Sequence, residues 1–427
     1  MIHSNSWNSH PAYTSPGIRF PVPEYHSFKR QKMKDPLYPG VHIGEIPGGI
    51  HAITGASTSV TAFIGCTAQG PVNTAVRVQS WTDFERQFGR PDDYRHVSHA
   101  VRLFFLNGGT DALIVRVTGK EDERNPGASD IIGNYDQKTG IYALRDTDIF
   151  NIMAIPQTAA LGDDEAREVI GRAIVFCEEK RAFFLVDYNP SCDAASIGKW
   201  VSQLGPQKNA AVYFPRLVVR DPYDNNRPKE LPASGAIAGI YARTDSGRGV
   251  WKAPAGSGAV LQGVDKLSIK VTDKENDTLT QQDINCLRYL PGQGNVCWGA
   301  RTLEGGNTPG SEWKYVPVRR LALYIEESVD RGTEWVVYEP SEESTWNSIR
   351  LSIEPFLMSL FRAGAFAGTT PRQAFFVKCD KETMTRTDIN NGVVNIVPGF
   401  APARPAEFIT LSVRKQAVVL KKKRYRC

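Results

Sequence analysis

His96 and His99 have the spacing closest to a chemical site. Three residues apart on a stretch with helical periodicity, they share one face and could hold a metal ion, with Asp92 and Asp93 close enough to add oxygen ligands. No further ligand spacing supports that site, so solvated or partner-facing imidazoles are the better reading. All seven histidines lie at or before His99, which leaves the rest of the chain without an imidazole for Ser/His or Cys/His chemistry. Patterns of the GxGxxG, GxxxxGK[ST] and GxSxG types are missing, and with them the usual phosphate loops and nucleophile elbows. Cys66, Cys177, Cys192, Cys286, Cys297, Cys379 and Cys427 show no CxxC spacing, as expected of reduced thiols in a cytosolic protein. Residues 243–260, RTDSGRGVWKAPAGSGAV, set Arg243, Arg248 and Lys252 among glycines. Such a loop cradles an anion when a helix N-terminus follows it. No capped helix clearly follows, and Trp251 with Pro254 favours a packed structural or intersubunit loop. Carboxylate-based hydrolysis stays formally open, since sequence cannot pair the carboxylates. The residues themselves therefore name no catalytic, cofactor-binding or metal-ligating side chain, and the expectation is a protein that is not an enzyme.

Composition narrows the class further. A chain of 427 residues with 41% hydrophobic and 23% charged residues can bury a sizeable core in two to three domains. Formal charge is 51 − 46 = +5, and Lys421, Lys422, Lys423, Arg424 and Arg426 account for it, so the body is neutral and reads as no nucleic-acid binder. The tip KKKRYRC suits a solvated tail or an acidic protein partner, with nucleic acid and anionic lipid as weaker alternatives. No apolar run is long enough to span a bilayer, and the first residues have neither the basic nor the apolar region of a secretory signal.

The elements that would position any site follow from periodicity. Residues 1–36 are rich in Ser, Asn, Pro and His and read as a flexible extension. VHIGEI alternates as a short strand and SVTAFIGC is apolar enough for a buried one. WTDFERQFG and DYRHVSHAVRLFFLNGG read as helices, the second stopped by Asn107-Gly108-Gly109, and DALIVRV as a strand. GNYDQKTGIYALRD reads as a hairpin. From NIMAI to AAVYFP the order is β-α-β-α-β with short connections, which predicts a parallel sheet covered by helices. Thr280 is expected to cap a helix running through Tyr289. Further on, VRRLALYIEESVDRG is a helix, EWVVYEP a strand, and Trp346–Phe366 helical with a kink or restart at Pro355. QAFFVKCD, VVNIV and the alternating EFITLSV close the pattern as strands.

These blocks occur together, and in the same order, in one known family. YPGVHIGEIPGGI, STSVTAFIG, GPVN, FERQFG and FFLNGGTDALIVRV resemble the opening of contractile tail sheath proteins, from myovirus-type phage tails and phage-tail-like contractile injection systems. PASGAIAGIYARTDSGRGVWKAPAG, LTQQDINCLRYL and VCWGARTL resemble the centre; YVPVRRLALYIEESV, EWVVYEPSEESTW, AFFVKCDKETMTRTDINNG and APARPAEFITLSV resemble the end. The resemblance covers residues 37–414. Only about thirty residues separate DALIVRV from NIMAI, where the family often carries a large outer insertion, so a slim sheath is expected.

The resemblance implies a mixed α/β, multi-domain subunit with a central parallel-sheet region and extended N- and C-terminal strand arms. Its expected domains are a flexible extension (1–36), a discontinuous core (37–118 with 315–414), an outward-facing middle domain (119–314) and a basic tail (415–427). Subunits would form hexameric rings stacked into a helical sheath around an inner tube protein, with baseplate and terminal cap proteins as further partners. No cofactor, nucleic acid or membrane insertion is implied, and assembly would take place in the bacterial cytoplasm, the finished particle being released or envelope-attached. Val41, Ile43 and Ile46 near one end, and Phe408, Ile409, Leu411 and Val413 near the other, are the candidate intersubunit arms, because a lone strand needs a neighbour's edge. Pairing within the subunit's own sheet is the alternative. Arg350 and Arg362, on the 346–366 helix, are candidates to face the tube, with plain solvation as the alternative. Contraction would draw on packing: about 500 Å² of extra apolar burial per subunit is worth on the order of 12 kcal/mol.

Overall fold

The computed structural model describes residues 51–91, 96–120, 122, 124–304, 311–403, 409–410 and 413–416. Val41, Ile43, Ile46, Phe408 and Leu411 lie outside these residues, as do Asp92, Asp93 and the basic tip.

In chain order the elements are β1 (Thr61–Gly65), β2 (Ala75–Val78), α1 (Trp81–Phe88), α2 (His96–Leu106), β3 (Ala112–Arg116), α3 (Ala128–Ile132), β4 (Ile152–Ala154), α4 (Asp163–Glu179), β5 (Phe183–Val186), α5 (Ile197–Ser202) and β6 (Ala210–Phe214). There follow β7 (Leu217–Asp221), β8 (Arg227–Leu231), α6 (Ser234–Arg248), β9 (Lys266–Leu267), α7 (Asp273–Gln281), β10 (Ile284–Leu290) and β11 (Gly294–Cys297). The last group is α8 (Val316–Gly332), α9 (Glu343–Arg362), α10 (Pro371–Ala374), β12 (Phe375–Lys378), α11 (Arg386–Asn390), β13 (Val393–Phe400), β14 (Ile409–Thr410) and β15 (Val413–Gln416).

One eight-stranded sheet, in the order β11-β10-β6-β5-β4-β1-β3-β2, organises most of the chain up to residue 297, beside a small antiparallel sheet in the order β8-β7-β9. Its six central strands are parallel, with β2 and β11 added antiparallel at the edges. Both faces are covered, which is why its strands are runs of apolar residues rather than alternations. Ala62 and Ile64 of β1 face one core, built with α3, α4 and α5, while Phe63 faces a second core with α1, α2 and α6. A third core joins α8, α9, β12 and β13. The expected boundary at residue 118 runs through the large sheet: β1 pairs with β3 on one side and β4 on the other. The strands before 118 thus share a sheet and two cores with the middle region, and only the part after 315 has a core largely its own.

Local chemistry sets the ends of these elements. Ser80 accepts the Asp83 amide to start α1, and Thr272 with Glu275 forms a reciprocal capping box on α7. Helices α2 and α6 pack closely because Gly235 and Gly239 have no side chain: a Cβ there would fall 2.2 Å from the Ala100 carbonyl oxygen and 2.5 Å from that of Phe104.

Several local expectations are corrected. Residues 133–146 form no hairpin; helix α3 is followed by a 3₁₀ turn at Gly140–Leu144. The helix expected to be capped by Thr280 starts instead at Thr272 and ends at Gln281, and Ile284–Leu290 is the strand β10, which pairs with β6 and β11. Glu334–Tyr338 is a 3₁₀ turn rather than a strand. Helix α9 runs through Pro355 without a break, because its buried face, from Trp346 through Ile353 to Leu360, is held in the third core. Arg243 and Arg248 belong to the last turns of α6, so the glycine-bearing stretch lies past a helix C-terminus, whose dipole disfavours anions.

Candidate assembly surfaces

His96 and His99 enter the fold near the start of α2, His99 buried and His96 half-buried, beside residues of β7 and β8. His99 Nε2 lies 3.6 Å from the Asp221 carboxylate and 3.2 Å from Lys229 Nζ. Burial first, then the nearby charges of Arg216 and Lys229, pushes the His96 imidazole down to about 4. The space beside these rings thus carries fixed ammonium and guanidinium charge, which repels a metal cation. Among the described residues no group of three or more His, Cys, Asp or Glu side chains converges on a metal site. Burial likewise pushes the Cys286, Cys297 and Cys379 thiols up to about 12, which makes them poor nucleophiles.

Of the Gly-rich stretch, Arg243 turns inward and donates to the Val260 carbonyl at 2.8 Å. Arg248 and Lys252 remain exposed on the rim of an open cleft of about 810 Å³. Trp251, Trp298 and Tyr315 supply its aromatic surface, and Arg301 its third cation, the latter tied to the Thr280 carbonyl at 2.7 Å. Among the described residues, no acidic side chain lines it.

The C-terminal sheet has the order β12-β13-β14, with β15 also on β13. Ile409 pairs with Phe400 and Val413 with Ile396, both antiparallel and within the chain. On α9, Arg350 folds down to donate to the Cys379 carbonyl. Arg362 is exposed and has no side-chain partner among the described residues. The two arginines expected to face a tube thus differ: one is committed to its own chain and the other is available.

Sequence reasoning missed the joint between α8 and the large sheet. Arg320 makes a doubly bonded ion pair with Asp245 on α6 (3.0 and 2.6 Å), donates to the Thr58 carbonyl, and lies 4.6 Å over the Tyr241 ring. Arg181 reaches Glu327 and Asp330 at 3.0 and 3.2 Å, Arg331 reaches Asp148 at 3.0 Å, and Arg319 donates to Asn209 at 2.7 Å. These partners lie 75 to 262 residues apart, and such separations leave no periodic signal.

A largely parallel α/β body, a third core around α8 and α9, and an ionic joint between α8 and the sheet define the fold. Two family models match: the phage tail sheath protein central domain over residues 132–303 and the phage tail sheath C-terminal domain over residues 308–416. The helical sheath of the anti-feeding prophage in its contracted state is 31% identical, with a TM-score of 0.68 over 87% of this chain and 98% of that one. The contracted sheath of the PVC extracellular contractile injection system is 28% identical, also at 0.68, over 89% and 98%. A prophage major tail sheath protein of Pseudomonas aeruginosa is 24% identical over 87% of this chain and 94% of its own length. The tail sheath protein of Enterobacteria phage T4 is 27% identical, but the match spans only 27% of that protein's length, as it does for that of Vibrio phage KVP40. The chain belongs to the phage tail sheath family.

Proposed function

We propose that this chain is the repeating subunit of a contractile sheath, stacked as hexameric rings around an inner tube and docked on a baseplate, and that its contraction drives the tube through a target envelope. The observation that carries this is the match along 98% of the contracted anti-feeding prophage sheath chain at 31% identity; a chain of the same system's baseplate structure is 30% identical. Near-complete coverage of these chains, against partial coverage of the long phage proteins, supports a slim sheath.

Contraction here is repacking of subunits and calls on no bound nucleotide. The C-terminal strands support a role for arm exchange, since β14 and β15 are short and their backbones pair with the edge of β13, β15 also lying beside α8 and the Glu334–Tyr338 turn. The same hydrogen bonds are available from a neighbour's strand at little cost. Arg362 is the candidate for contact with an acidic tube. Assembly in the bacterial cytoplasm, within a phage tail or phage-tail-like particle, follows from the same reading.

Electron microscopy of the purified protein tests it. Expressed without a tube, it should form long hollow cylinders with a helical surface; monodisperse monomer at high concentration would refute the reading.

A further inference from the structure

The cleft beside Arg248 and Lys252 has a chemical counterpart elsewhere on the same chain. The turn following α8 carries Tyr338, 85% exposed, together with exposed Glu334, Glu339 and Glu342. Tyr338, Glu334 and Glu339 have no side-chain partner among the described residues, and Glu342 meets only the Ser344 hydroxyl, at 2.6 Å. An aromatic ring among unpaired carboxylates projects from the body, while an aromatic cleft rimmed by unpaired cations lies open in it. Tyr is suited to such a role, because it buries a large apolar face while keeping its hydroxyl hydrogen-bonded.

Their placement matters as much as their chemistry. The cleft wall includes Tyr315, Pro317, Val318 and Leu321, at the N-terminal end of α8. The acidic turn begins two residues after the C-terminal end of the same helix. Seventeen residues of helix hold the two surfaces roughly 25 Å apart, so one chain cannot bring its turn into its own cleft. Complementary patches at opposite ends of a rigid element make a heterologous contact, the kind that builds a ring where the rotation closes and a helical polymer where it does not.

We infer that the Tyr338 turn of one subunit docks in the Arg248–Lys252–Trp251–Trp298 cleft of the next copy of this chain. This rests on the sheath reading, since only a polymer of the chain supplies the second copy. Charge at the rim steers the encounter, and the ring supplies the anchor between the two tryptophans.

Charge reversal in the full chain tests the contact. Arg248→Glu with Lys252→Glu, and separately Glu339→Lys with Glu342→Lys, should each lower the yield of sedimentable tubes about tenfold in low salt. Combining all four should restore it. These side chains are exposed, so all variants should still melt cooperatively, within a few degrees of the parent, the reversed charges at the end of α6 and the start of α9 accounting for the difference. A photocrosslinking residue at position 338 should join two copies through peptides containing Trp251 or Trp298. Cleft-reversed protein that polymerises normally, failure of the fourfold variant to recover, or crosslinks mapping elsewhere (the basic residues 421–426 included) would overturn the inference. A parent chain that forms no tubes refutes the sheath reading instead, and the crosslink at high concentration still decides the contact.

Discussion

Arg320 and Asp245 carry the largest single-residue consequence. Their charged groups are almost inaccessible to water, at 4% and 3% exposure, so each depends on the other. Arg320→Ala leaves a buried carboxylate uncompensated and should cost about 3–5 kcal/mol. Arg320→Met with Asp245→Leu should recover much of that, because an apolar pair needs no partner charge. Urea titrations of the three proteins measure the difference. His96 gives a pH-dependent counterpart. Its folded pKa, about 4, lies below the unfolded value of 6.5, so its contribution is complete above pH 6.5 and is lost as pH falls toward 4. Asp187 runs the opposite way: burial raises it to about 6, against the pull of the Ser234 hydroxyl and Arg216, so its contribution is complete below 3.8 and fades as pH rises through 6. The two contributions oppose each other across this range, so the comparison that isolates the imidazole is with His96→Gln. Between pH 7 and pH 5 wild type should lose about 2 kcal/mol relative to that variant, read from the first unfolding midpoint. Neither site was legible in the sequence. The i, i+3 spacing identified His96 and His99 as neighbours, but Lys229 and Arg216, which decide what the pair can do, arrive from β8 and from the residue before β7 through tertiary folding.

Elements were legible where one period dominated and one face was apolar. β1, α2, β3, α4, β5 and β6 follow the pattern, and so does the parallel order of the central strands. Misreadings fell where apolar character and secondary structure part company. EWVVY has the β-branched and aromatic composition of a strand, yet forms a 3₁₀ turn, because Val336 is drawn into the third core while Tyr338 swings outward. INCLRYL follows a polar helix closely enough to be read as part of it; pairing with β6 settles it as a strand. The C-terminal strands give the prediction at this scale. Truncation before Phe408 should leave a soluble, cooperatively melting chain that no longer forms tubes, because β13 keeps its pairing with β12 and the third core keeps α8 and α9. An insoluble or molten product would mean that these strands serve their own subunit, and tubes from the truncated chain would end the exchange idea outright.

At the scale of the molecule, the sequence conveyed the architecture through the order of its blocks, more than through any one residue. The large sheet closes over residues that lie far apart in the chain, and pairing of β1 with both β3 and β4 cannot be read from local pattern. Contraction belongs at this scale as well. Assembled particles should contract in urea or acid with no ATP, GTP or metal present, since repacking supplies the work; strict dependence on a nucleotide, seen by microscopy before and after its addition, would rule this mechanism out. The joint between α8 and the sheet adds a thermal consequence. Apolar contacts weaken on cooling, because their strength near room temperature is entropic, whereas ion pairs with good geometry do not share that dependence. Val316 and Leu323 are the α8 residues that enter the second core, and the joint also holds the polar bonds of Arg181, Arg319, Arg320 and Arg331 to carboxylate, amide and carbonyl oxygens. Cold should therefore weaken the apolar packing of the cores before it parts α8 from the sheet, so that in a chilled chain amide exchange quickens within the third core while this ionic joint still holds.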